Sequence, residues 1–332
     1  MVISQTQIST FMIFDFQVAE INYFCQLRLT LSEAKGFCMR VLISGASGLV
    51  GTELSRQLLD LGHEPVVLVR REAKNSNEVS WKPGLEALNP SLMESIDAVV
   101  NMGGATTGRI PWTKKYMKLL ISSRIDSTKT LVSAINNAKN QPKVLVSGSA
   151  SGIYGDRGDE LLTEESVRGD GFLADLASSW EDEALKANTR VVLARTTLVM
   201  SKKLGALGRL LPFIKAGLGF SIGRGDQWWA WISLEDEARA IIHLINNEET
   251  TGAYNLTAPE PATCKQMVTA LGKELRRPTF LKAPAWAMGL FIGVAAKELL
   301  LCSQKMSSQK LTDSGFEFTH PTLQQSAKYV IG

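Results

Sequence analysis

Short hydrophobic runs alternate with longer amphipathic stretches from residue 39 to about residue 197. A short apolar run bounded by glycine is typical of a strand buried in a parallel sheet, and apolar residues at helical spacing are typical of a connecting helix. Strands are predicted at 40–44, 66–69, 97–101, 143–147 and 190–195, and helices after Gly48, after Trp112 and over 172–186. This alternation predicts an α/β fold built on a doubly wound parallel sheet.

The pattern changes on either side of this region. After Thr197, glycine-rich stretches, a tryptophan cluster and helices separated by prolines predict a smaller, mostly helical region at 201–332, some segments of which could return to the sheet. The leader, residues 1–38, contains an apolar segment at 8–14 without a preceding Lys or Arg, which is not typical of a secretory signal. We therefore expect a main domain at 39–200 and a leader outside the fold.

Composition and charge limit the class of protein. The chain has 332 residues, of which 45% are hydrophobic and 21% charged, as in soluble globular proteins, and Lys+Arg 36 against Asp+Glu 33 leaves a net charge of +3. Since the basic residues are scattered, we expect no nucleic-acid partner, and the apolar stretch at 283–296 is too short for a membrane span. The cysteines and histidines lack metal-ligand spacing. We expect a cytoplasmic protein, with an organelle left open by the unusual leader and the oligomeric state not indicated.

A glycine-rich loop, G-A-S-G-L-V-G, lies between the first predicted strand and helix. Gly45 permits a tight turn, Gly48 lets the backbone approach a pyrophosphate, and Gly51 lets the helix pack closely on the strand. Leu49 and Val50 begin the helix, whose free N–H groups and dipole favour phosphate. The loop therefore predicts a Rossmann domain that binds a dinucleotide, with these five residues in contact with the cofactor.

The end of the second predicted strand indicates which dinucleotide is bound. NAD enzymes place an Asp or Glu about 20 residues beyond the loop, on the ribose 2′-hydroxyl. This chain has Arg70 and Arg71 there instead. Because a guanidinium matches a 2′-phosphate in charge and in geometry, we expect NADP(H) rather than NAD.

Several motifs together resemble the atypical extended short-chain dehydrogenases/reductases known as epimerase family proteins, whose substrate is unknown. The resemblance covers residues 39 to about 331. The motifs are the glycine loop, D-A-V-V-N-M-G-G at 97–104, Trp112-Thr113, Ser122-Ser123-Arg124, S-A-S-G-I-Y-G at 149–155, Trp180-Glu181 and Arg277-Pro278. One local departure is Ser233, which stands where relatives usually carry His.

The resemblance implies cofactor contacts for residues outside the loop. Arg70, Met102, Gly103 and Arg124 are expected to contact NADP(H), and Val199 is expected to lie near the nicotinamide. Met102 and Gly103 follow a strand, which is where open α/β sheets bind ligands.

The expected acid–base pair of this family is missing from the sequence. Such enzymes use a Ser or Thr together with Tyr-x-x-x-Lys, and Ser149 fits the serine position. The window at 171–179, where the tyrosine is expected, contains neither Tyr nor Lys. Asp175 is the ionisable residue of that window and Tyr154 is the phenol nearest to Ser149 in sequence, so both are candidate proton donors, each with an alternative structural role.

Two functional hypotheses follow. The first is an NADP(H)-dependent oxidoreductase or epimerase-like enzyme that lacks the Tyr-x-x-x-Lys pair. Gln227 and the tryptophans that follow it would suit a small sugar-like or ring-shaped substrate. The alternative is a non-catalytic module that binds or senses NADP(H) and holds a partner.

Overall fold

A seven-stranded parallel sheet forms the centre of the protein in a computed structural model that describes residues 38–202 and 205–332. The strand order is β3-β2-β1-β4-β5-β7-β11, and every neighbouring pair is parallel. Its strands are β1 (Arg40–Ser44), β2 (Glu64–Val69), β3 (Glu78–Ser80), β4 (Ala98–Asn101), β5 (Val144–Ala150), β7 (Arg190–Thr196) and β11 (Gly252–Leu256). The predicted doubly wound sheet is confirmed, whereas the leader prediction concerns residues outside the described part.

Helices connect these strands and cover both faces of the sheet. The α-helices are α1 (Leu49–Asp60), α2 (Lys114–Asn136), α3 (Phe172–Ala184), α4 (Gly205–Lys215), α5 (Leu234–Asn246), α6 (Cys264–Glu274), α7 (Ala285–Ile292), α8 (Val294–Ala296), α9 (Gln309–Asp313) and α10 (Leu323–Ile331). Two 3₁₀ turns lie at Pro90–Ser95 and Ser151–Tyr154, and a π-helical turn lies at Lys297–Leu301.

Alternate residues of each strand point to opposite faces, and each face has its own core. On one face, Ile43 of β1 and Val100 of β4 pack with Leu54 of α1 and Ile241 of α5. The opposite face carries a second core, formed by Leu42, Val99 and Leu145 with Leu131 and Ile135 of α2. The glycine loop, the turn after β4 and the turn after β5 therefore meet at the carboxyl edge between two packed layers.

The region after β7 contributes to the sheet and also builds a smaller layer. β11 pairs with β7, and α5 packs against α1, so both belong to the central sandwich. The remaining strands form three parallel pairs, which are β8 (Leu198–Met200) with β10 (Trp231–Ser233), β9 (Phe220–Ile222) with β12 (Leu281–Ala283), and β6 (Leu161–Leu162) with β13 (Lys305–Met306). α4, α6 and α10 surround a third core that contains Trp229 and Trp231.

Two carboxylates, one buried and one half-buried, attach the C-terminal segment to the sheet sandwich. Asp236 accepts hydrogen bonds from the backbone N–H groups of Thr319 and His320 at 2.8 and 2.9 Å. Glu298 accepts from the N–H groups of Phe172 and Leu173, the first two residues of α3, at 3.2 and 3.1 Å. Since a carboxylate is favourable at a helix N-terminus, Glu298 acts as the cap that α3 lacks locally.

Neither a membrane span nor a metal cluster is found in the part of the chain that the structure describes. No helix there is long and apolar enough to cross a bilayer. Within the same residues, no group of three or more His, Cys, Asp or Glu side chains could hold a metal ion.

The packing of α1 against the glycine loop generates the first testable prediction. A Cβ atom at Gly51 would lie 2.3 Å from the carbonyl oxygen of Gly45, whereas one at Gly289 in α7 would meet nothing within 4 Å. We expect Gly51→Ala to lower the free energy of unfolding by about 1–3 kcal/mol because of the clash. The matched Gly289→Ala change should raise it by up to about 1 kcal/mol. Urea denaturation checks both, and a Gly51→Ala protein as stable as Gly289→Ala would contradict the prediction.

Candidate cofactor and active site

The glycine loop makes a close approach between β1 and the turn after β4. Gly45 has φ +78°, and a Cβ atom there would lie 2.7 Å from the carbonyl oxygen of Met102. The N–H group of Gly48 donates to the Gly45 carbonyl at 2.9 Å, which closes the turn, and Gly48 caps α1 without any side-chain hydrogen bond. The first N–H groups of α1 thus point to the carboxyl edge, where the helix dipole favours an anion.

A buried hydrogen-bond network fixes the backbone after β4. Ser44 donates to the Asn101 side-chain oxygen at 2.6 Å, and the N–H group of Gly103 donates to the Ser44 hydroxyl at 3.1 Å. The Asn101 amide donates to Thr128 of α2 at 2.8 Å. Met102 and Gly103, both predicted cofactor contacts, are therefore held at the edge of the sheet beside the glycine loop.

Arg124 is a half-buried cation that forms no ion pair within the described residues. Its guanidinium donates to the carbonyls of Ala105 and Leu120, both at 3.1 Å, and lies over the Trp180 ring with 5.2 Å between Cζ and the ring centroid. Burial lowers the pKa of this guanidinium to about 10. A Cβ atom at Gly104 would lie 3.0 Å from Cζ of Arg124, so the guanidinium faces the turn after β4. An unpaired cation at this point suits an anionic ligand.

The two arginines after β2 differ in their surroundings. Arg71 forms a two-bond ion pair with Glu78 of β3, with both distances at 2.7 Å. This pairing lowers the pKa of Glu78 to about 2. Arg70 is exposed and has no ion-pair partner in the described part of the chain. Of the two, Arg70 is therefore the one whose guanidinium is free for a ligand.

Ser149 lies on β5 in a buried network rather than facing an open cleft. Its hydroxyl donates to Oε1 of Glu181 on α3 at 2.6 Å, and only 4% of the residue is exposed. Glu181 forms a two-bond ion pair with Arg195 of β7, at 2.9 Å for both contacts. Burial by itself would lower the pKa of Arg195. The hydrogen bonds and the charge of Glu181 outweigh this effect, so the pKa is raised above its usual value. Ser149 thus helps to solvate a buried carboxylate.

Tyr154 belongs to the same network and is fully buried. Its hydroxyl accepts from Nη1 of Arg195 and donates to the side-chain oxygen of Asn255 in β11, both at 2.7 Å. Burial raises the pKa of Tyr154 to about 12. A phenol with both partners inside the protein and a raised pKa does not support the proton-donor hypothesis and fits the structural alternative.

Asp175 lies on the outer surface of α3, where it pairs with Arg168 at 2.5 Å and stays mostly exposed. The residues of α3 that face the turn after β5 are apolar: Leu173 packs against Gly152, and Ala177 joins the core around Ile153. The structure therefore brings Ser149 and Tyr154 together but not Asp175, and Asp175 fits the surface role that was its alternative.

Most of the tryptophan cluster is packed inside the C-terminal region, which does not support the expected ligand-binding surface. Trp228 is half-buried, and its ring N–H group donates to the Asp159 carboxylate at 2.7 Å. Trp229 and Trp231 are buried in the third core, where their ring N–H groups donate to the carbonyls of Leu300 and Glu260. Gln227 is also buried and donates to the carbonyls of Ile222 and Leu300. Because their polar atoms are satisfied within the protein, these residues pack the C-terminal region.

Three charged residues that matter were missed by the sequence analysis: Glu181, Arg195 and Glu237. Arg195 stands in an otherwise apolar strand, which was an available signal, whereas Glu181 and Glu237 each stand among other acidic residues, so the sequence did not single them out. Glu237 on α5 is fully buried and accepts a hydrogen bond from the Thr196 hydroxyl at 2.7 Å. The predicted cofactor contact Val199 packs on the same core as α5, together with Val50 and Met102.

Tyr154 provides a test of the structural role. Tyr154→Phe removes a hydroxyl from two buried partners, so the free energy of unfolding should fall by about 1–3 kcal/mol. Tyr254→Phe is the control, because this hydroxyl forms no hydrogen bond within the described residues and is not a buried unsatisfied group; its change should stay within about 0.5 kcal/mol. Chemical denaturation measures both proteins. Equal stabilities of the two variants would contradict the network.

Comparisons with known proteins agree with this geometry. The model of the NAD dependent epimerase/dehydratase family matches residues 41–257, and a domain of unknown function, DUF1731, matches residues 283–330. An epimerase family protein of Mycobacterium leprae is 37% identical over 292 residues, which cover 87% of this chain and 94% of the relative. A chloroplastic epimerase family protein of Arabidopsis thaliana is 33% identical over 90% of this chain and 89% of its own length.

Solved structures share the fold. The human epimerase family protein SDR39U1, crystallised with NADPH, superposes with a TM-score of 0.81 at 29% identity, over 88% of this chain and 99% of that one. A nucleoside-diphosphate sugar epimerase from Corynebacterium glutamicum gives a TM-score of 0.74 at 29% identity, over 96% of this chain and 63% of that one. The sheet, the glycine loop and these matches lead to one conclusion: this chain belongs to the NAD dependent epimerase/dehydratase family, and its C-terminal segment is a DUF1731 domain.

Proposed function

We propose that the chain is an NADP(H)-dependent oxidoreductase, or an epimerase-like enzyme, that acts on a small molecule without a Tyr-x-x-x-Lys pair. The observation that carries the cofactor part is Arg124, a half-buried guanidinium that faces the carboxyl edge and has no counter-ion among the described residues. The NADPH in the human structure supports the same choice. When bound, NADP(H) supplies or accepts a hydride.

The residues at the carboxyl edge fit this cofactor. At Gly45 and Gly51 a Cβ atom would clash with the backbone of Met102 and of the loop itself, so only glycine allows the loop to close tightly at the start of α1. The N–H groups of Leu49 and Val50 would hold the pyrophosphate at the helix N-terminus. Arg124 would add a cation to that anionic group, and Met102 and Gly103 would contact the cofactor with their backbone.

Arg70 would select the phosphorylated form of the cofactor. It follows β2, next to β1 in the sheet, and its guanidinium has no partner in the described residues, whereas Arg71 is paired with Glu78. No carboxylate follows β2 directly to accept a hydrogen bond from a ribose 2′-hydroxyl. A fork of N–H donors would instead hold the 2′-phosphate.

The second candidate function, an NADP(H)-binding or sensing module, is favoured by one observation. Each candidate for proton transfer already has a hydrogen-bond or ion-pair partner among the protein's own residues: Ser149 and Tyr154 in the buried network, and Asp175 at the surface. Under this alternative the cofactor would stabilise a conformation and would not be turned over. Trp229 and Trp231, which were expected to bind a ring-shaped substrate, are core residues. Cytoplasmic localisation likewise stays a prediction.

Cofactor choice is testable with a matched pair of arginines. We expect NADPH to bind at least about tenfold more tightly than NADH, which corresponds to about 1.4 kcal/mol. Arg70→Gln should reduce this ratio towards one, because the 2′-phosphate loses its cation. Arg71→Gln should leave the ratio nearly unchanged, because its guanidinium is held by Glu78. Isothermal titration calorimetry gives the ratios, and equal affinities of the unmodified protein for both cofactors would refute the assignment.

Turnover separates the two candidate functions. The protein is mixed with NADPH and a panel of carbonyl compounds and nucleotide sugars, and oxidation of the cofactor is followed by absorbance. We expect slow turnover, since general acid–base assistance by a positioned pair is typically worth about 10²–10⁴-fold. Arg124→Met should abolish turnover through loss of cofactor binding. If the unmodified protein binds NADPH but oxidises it with no member of the panel, the sensing module is the better description.

A further inference from the structure

Glu237 carries the one buried side-chain polar atom without a hydrogen-bond partner in the described residues, its Oε2. The residue lies in the first turn of α5 and has no exposed surface. Its other oxygen, Oε1, accepts from the Thr196 hydroxyl at 2.7 Å. A buried carboxyl with an orphaned oxygen is costly, so its presence here calls for a function.

Thr196 connects this carboxyl to the carboxyl edge of the sheet. It is the last residue of β7, is half-buried, and lies opposite Ala150, the last residue of β5. On the same core as α5 pack Val50, Met102 and Val199. The Glu237 carboxyl therefore lies directly behind the part of the edge formed by β5 and β7.

The strand order shows which half of a dinucleotide covers that part of the edge. β1 lies between β2 and β4, and the order of the strands reverses there, so the glycine loop lies at the topological switch point of the sheet. If the pyrophosphate lies at the start of α1 and the adenosine half extends towards Arg70 beyond β2, the other half extends over β4, β5 and β7. The nicotinamide end is then the part of the ligand nearest to Thr196.

We propose that Glu237, acting through Thr196, is a positioning residue that holds a proton behind the nicotinamide end of the site and makes cofactor affinity depend on protonation. This inference rests on the proposed NADP(H) binding. With Glu237 protonated, a neutral carboxyl faces the anionic cofactor. With Glu237 ionised, its negative charge is buried near the anionic cofactor, and this repulsion weakens the binding of NADPH. The positively charged nicotinamide ring of NADP⁺ partly offsets the same repulsion, so NADP⁺ binding is weakened less.

The surroundings of Glu237 leave burial as the dominant influence on its ionisation. Burial raises the pKa of Glu237 to about 8, and the Thr196 hydrogen bond acts in the opposite direction. Strands β5, β8 and β10, which pack against α5, carry no ionisable side chain. The charged or titratable groups on the other elements packed there are Glu53, Arg56 and Asp60 on α1, Glu235, Asp236, Arg239 and His243 on α5, Arg190 and Arg195 on β7, and Glu317 and His320 on the segment before α10. None of them contributes to the shift of Glu237.

These groups also have partners of their own. Arg56 pairs with Glu53 and Asp60. Asp236 pairs with Arg239, and Arg195 pairs with Glu181 on the opposite face of the sheet. Glu237 is the fully buried carboxyl without an ion-pair partner among these groups, so we expect a change of pH between about 7 and 9 to act on this part of the site through it.

The test measures cofactor affinity against pH for the full chain, with NADPH and NADP⁺ as the ligands. Above about pH 7 the 2′-phosphate is already ionised, so the ligand's own charge stays nearly constant. We expect the Kd of NADPH to rise about tenfold between about pH 7 and about pH 9.5, which matches a one-unit pKa shift on binding, and the Kd of NADP⁺ to rise less. Calorimetry in two buffers of different ionisation enthalpy should show uptake of up to about half a proton at pH 8.

Three variants separate the inference from a general effect of pH. Glu237→Gln, which keeps the acceptor for Thr196 and cannot ionise, should remove the pH dependence and the proton uptake. Thr196→Val should shift the rise in Kd to higher pH, because the hydrogen bond that lowers the pKa of Glu237 is lost. Glu235→Gln, on the same turn of α5, should behave like the unmodified protein.

The outcomes distinguish this inference from the proposed function. A pH-independent Kd in the unmodified protein, or a Glu237→Gln variant that keeps the dependence, overturns the role of Glu237 and leaves NADP(H) binding intact. Absence of NADPH binding at every pH overturns both. The expected pattern, with the dependence confined to proteins that have an ionisable residue 237, supports both.

Discussion

The ion pair between Glu181 and Arg195 holds the carboxyl ends of β5 and β7 against α3. Removing two charges from water costs several kcal/mol per ion, so such a pair is tolerated only when its remaining donors and acceptors are also satisfied. Here Ser149 donates to Glu181, and Tyr154 and the Glu164 carbonyl accept from Arg195. The serine and the tyrosine that the sequence offers for catalysis are therefore required to stabilise the buried pair.

Comparison of the two arginines beneath the carboxyl edge separates a structural cation from a ligand-binding one. Arg195 and Arg124 both lie over aromatic rings, of Tyr154 and Trp180, at 5.1 and 5.2 Å. Arg195 has a carboxylate on two of its nitrogens, whereas the hydrogen-bond acceptors of Arg124 within the described residues are backbone carbonyls. Since an unpaired cation in a half-buried position is unfavourable by itself, the missing anion at Arg124 is best supplied by a ligand phosphate.

Sequence patterns predicted the sheet and the glycine loop because both depend on local order. The strands at 40–44 and 190–195 and the turn at Gly45 are set by runs of apolar residues and by a few glycines. Two strands extend beyond their predicted ends, because polar residues there also pair in the sheet. β2 begins at Glu64 rather than at residue 66, and β5 continues to Ala150 rather than to residue 147. β11 was not predicted as a separate strand, because its five residues include a Gly and an Asn.

The roles of the candidate catalytic residues depended on partners that are distant in sequence. Asn255, which accepts from Tyr154, is 101 residues away, and Glu181 is 32 residues from Ser149. The tryptophans of the C-terminal region looked like a ligand surface because clustering alone does not show burial. Their burial is decided by α6 and α10, which no short window of sequence contains.

The alternation of side chains along β7 explains why Glu237 stays without a counter-ion. Arg195 and Thr196 are consecutive, so their side chains point to opposite faces of the sheet. Glu181 on α3 pairs with the arginine, while Glu237 on α5 has the threonine hydroxyl as its one side-chain partner in the part of the chain that the structure describes. Because the sheet separates Glu237 from this cation, protonation is what relieves the cost of its burial. The two faces of the edge therefore differ: the face of α2 and α3 carries Arg124, a cation available to a ligand, and the face of α5 carries a carboxyl whose charge depends on pH.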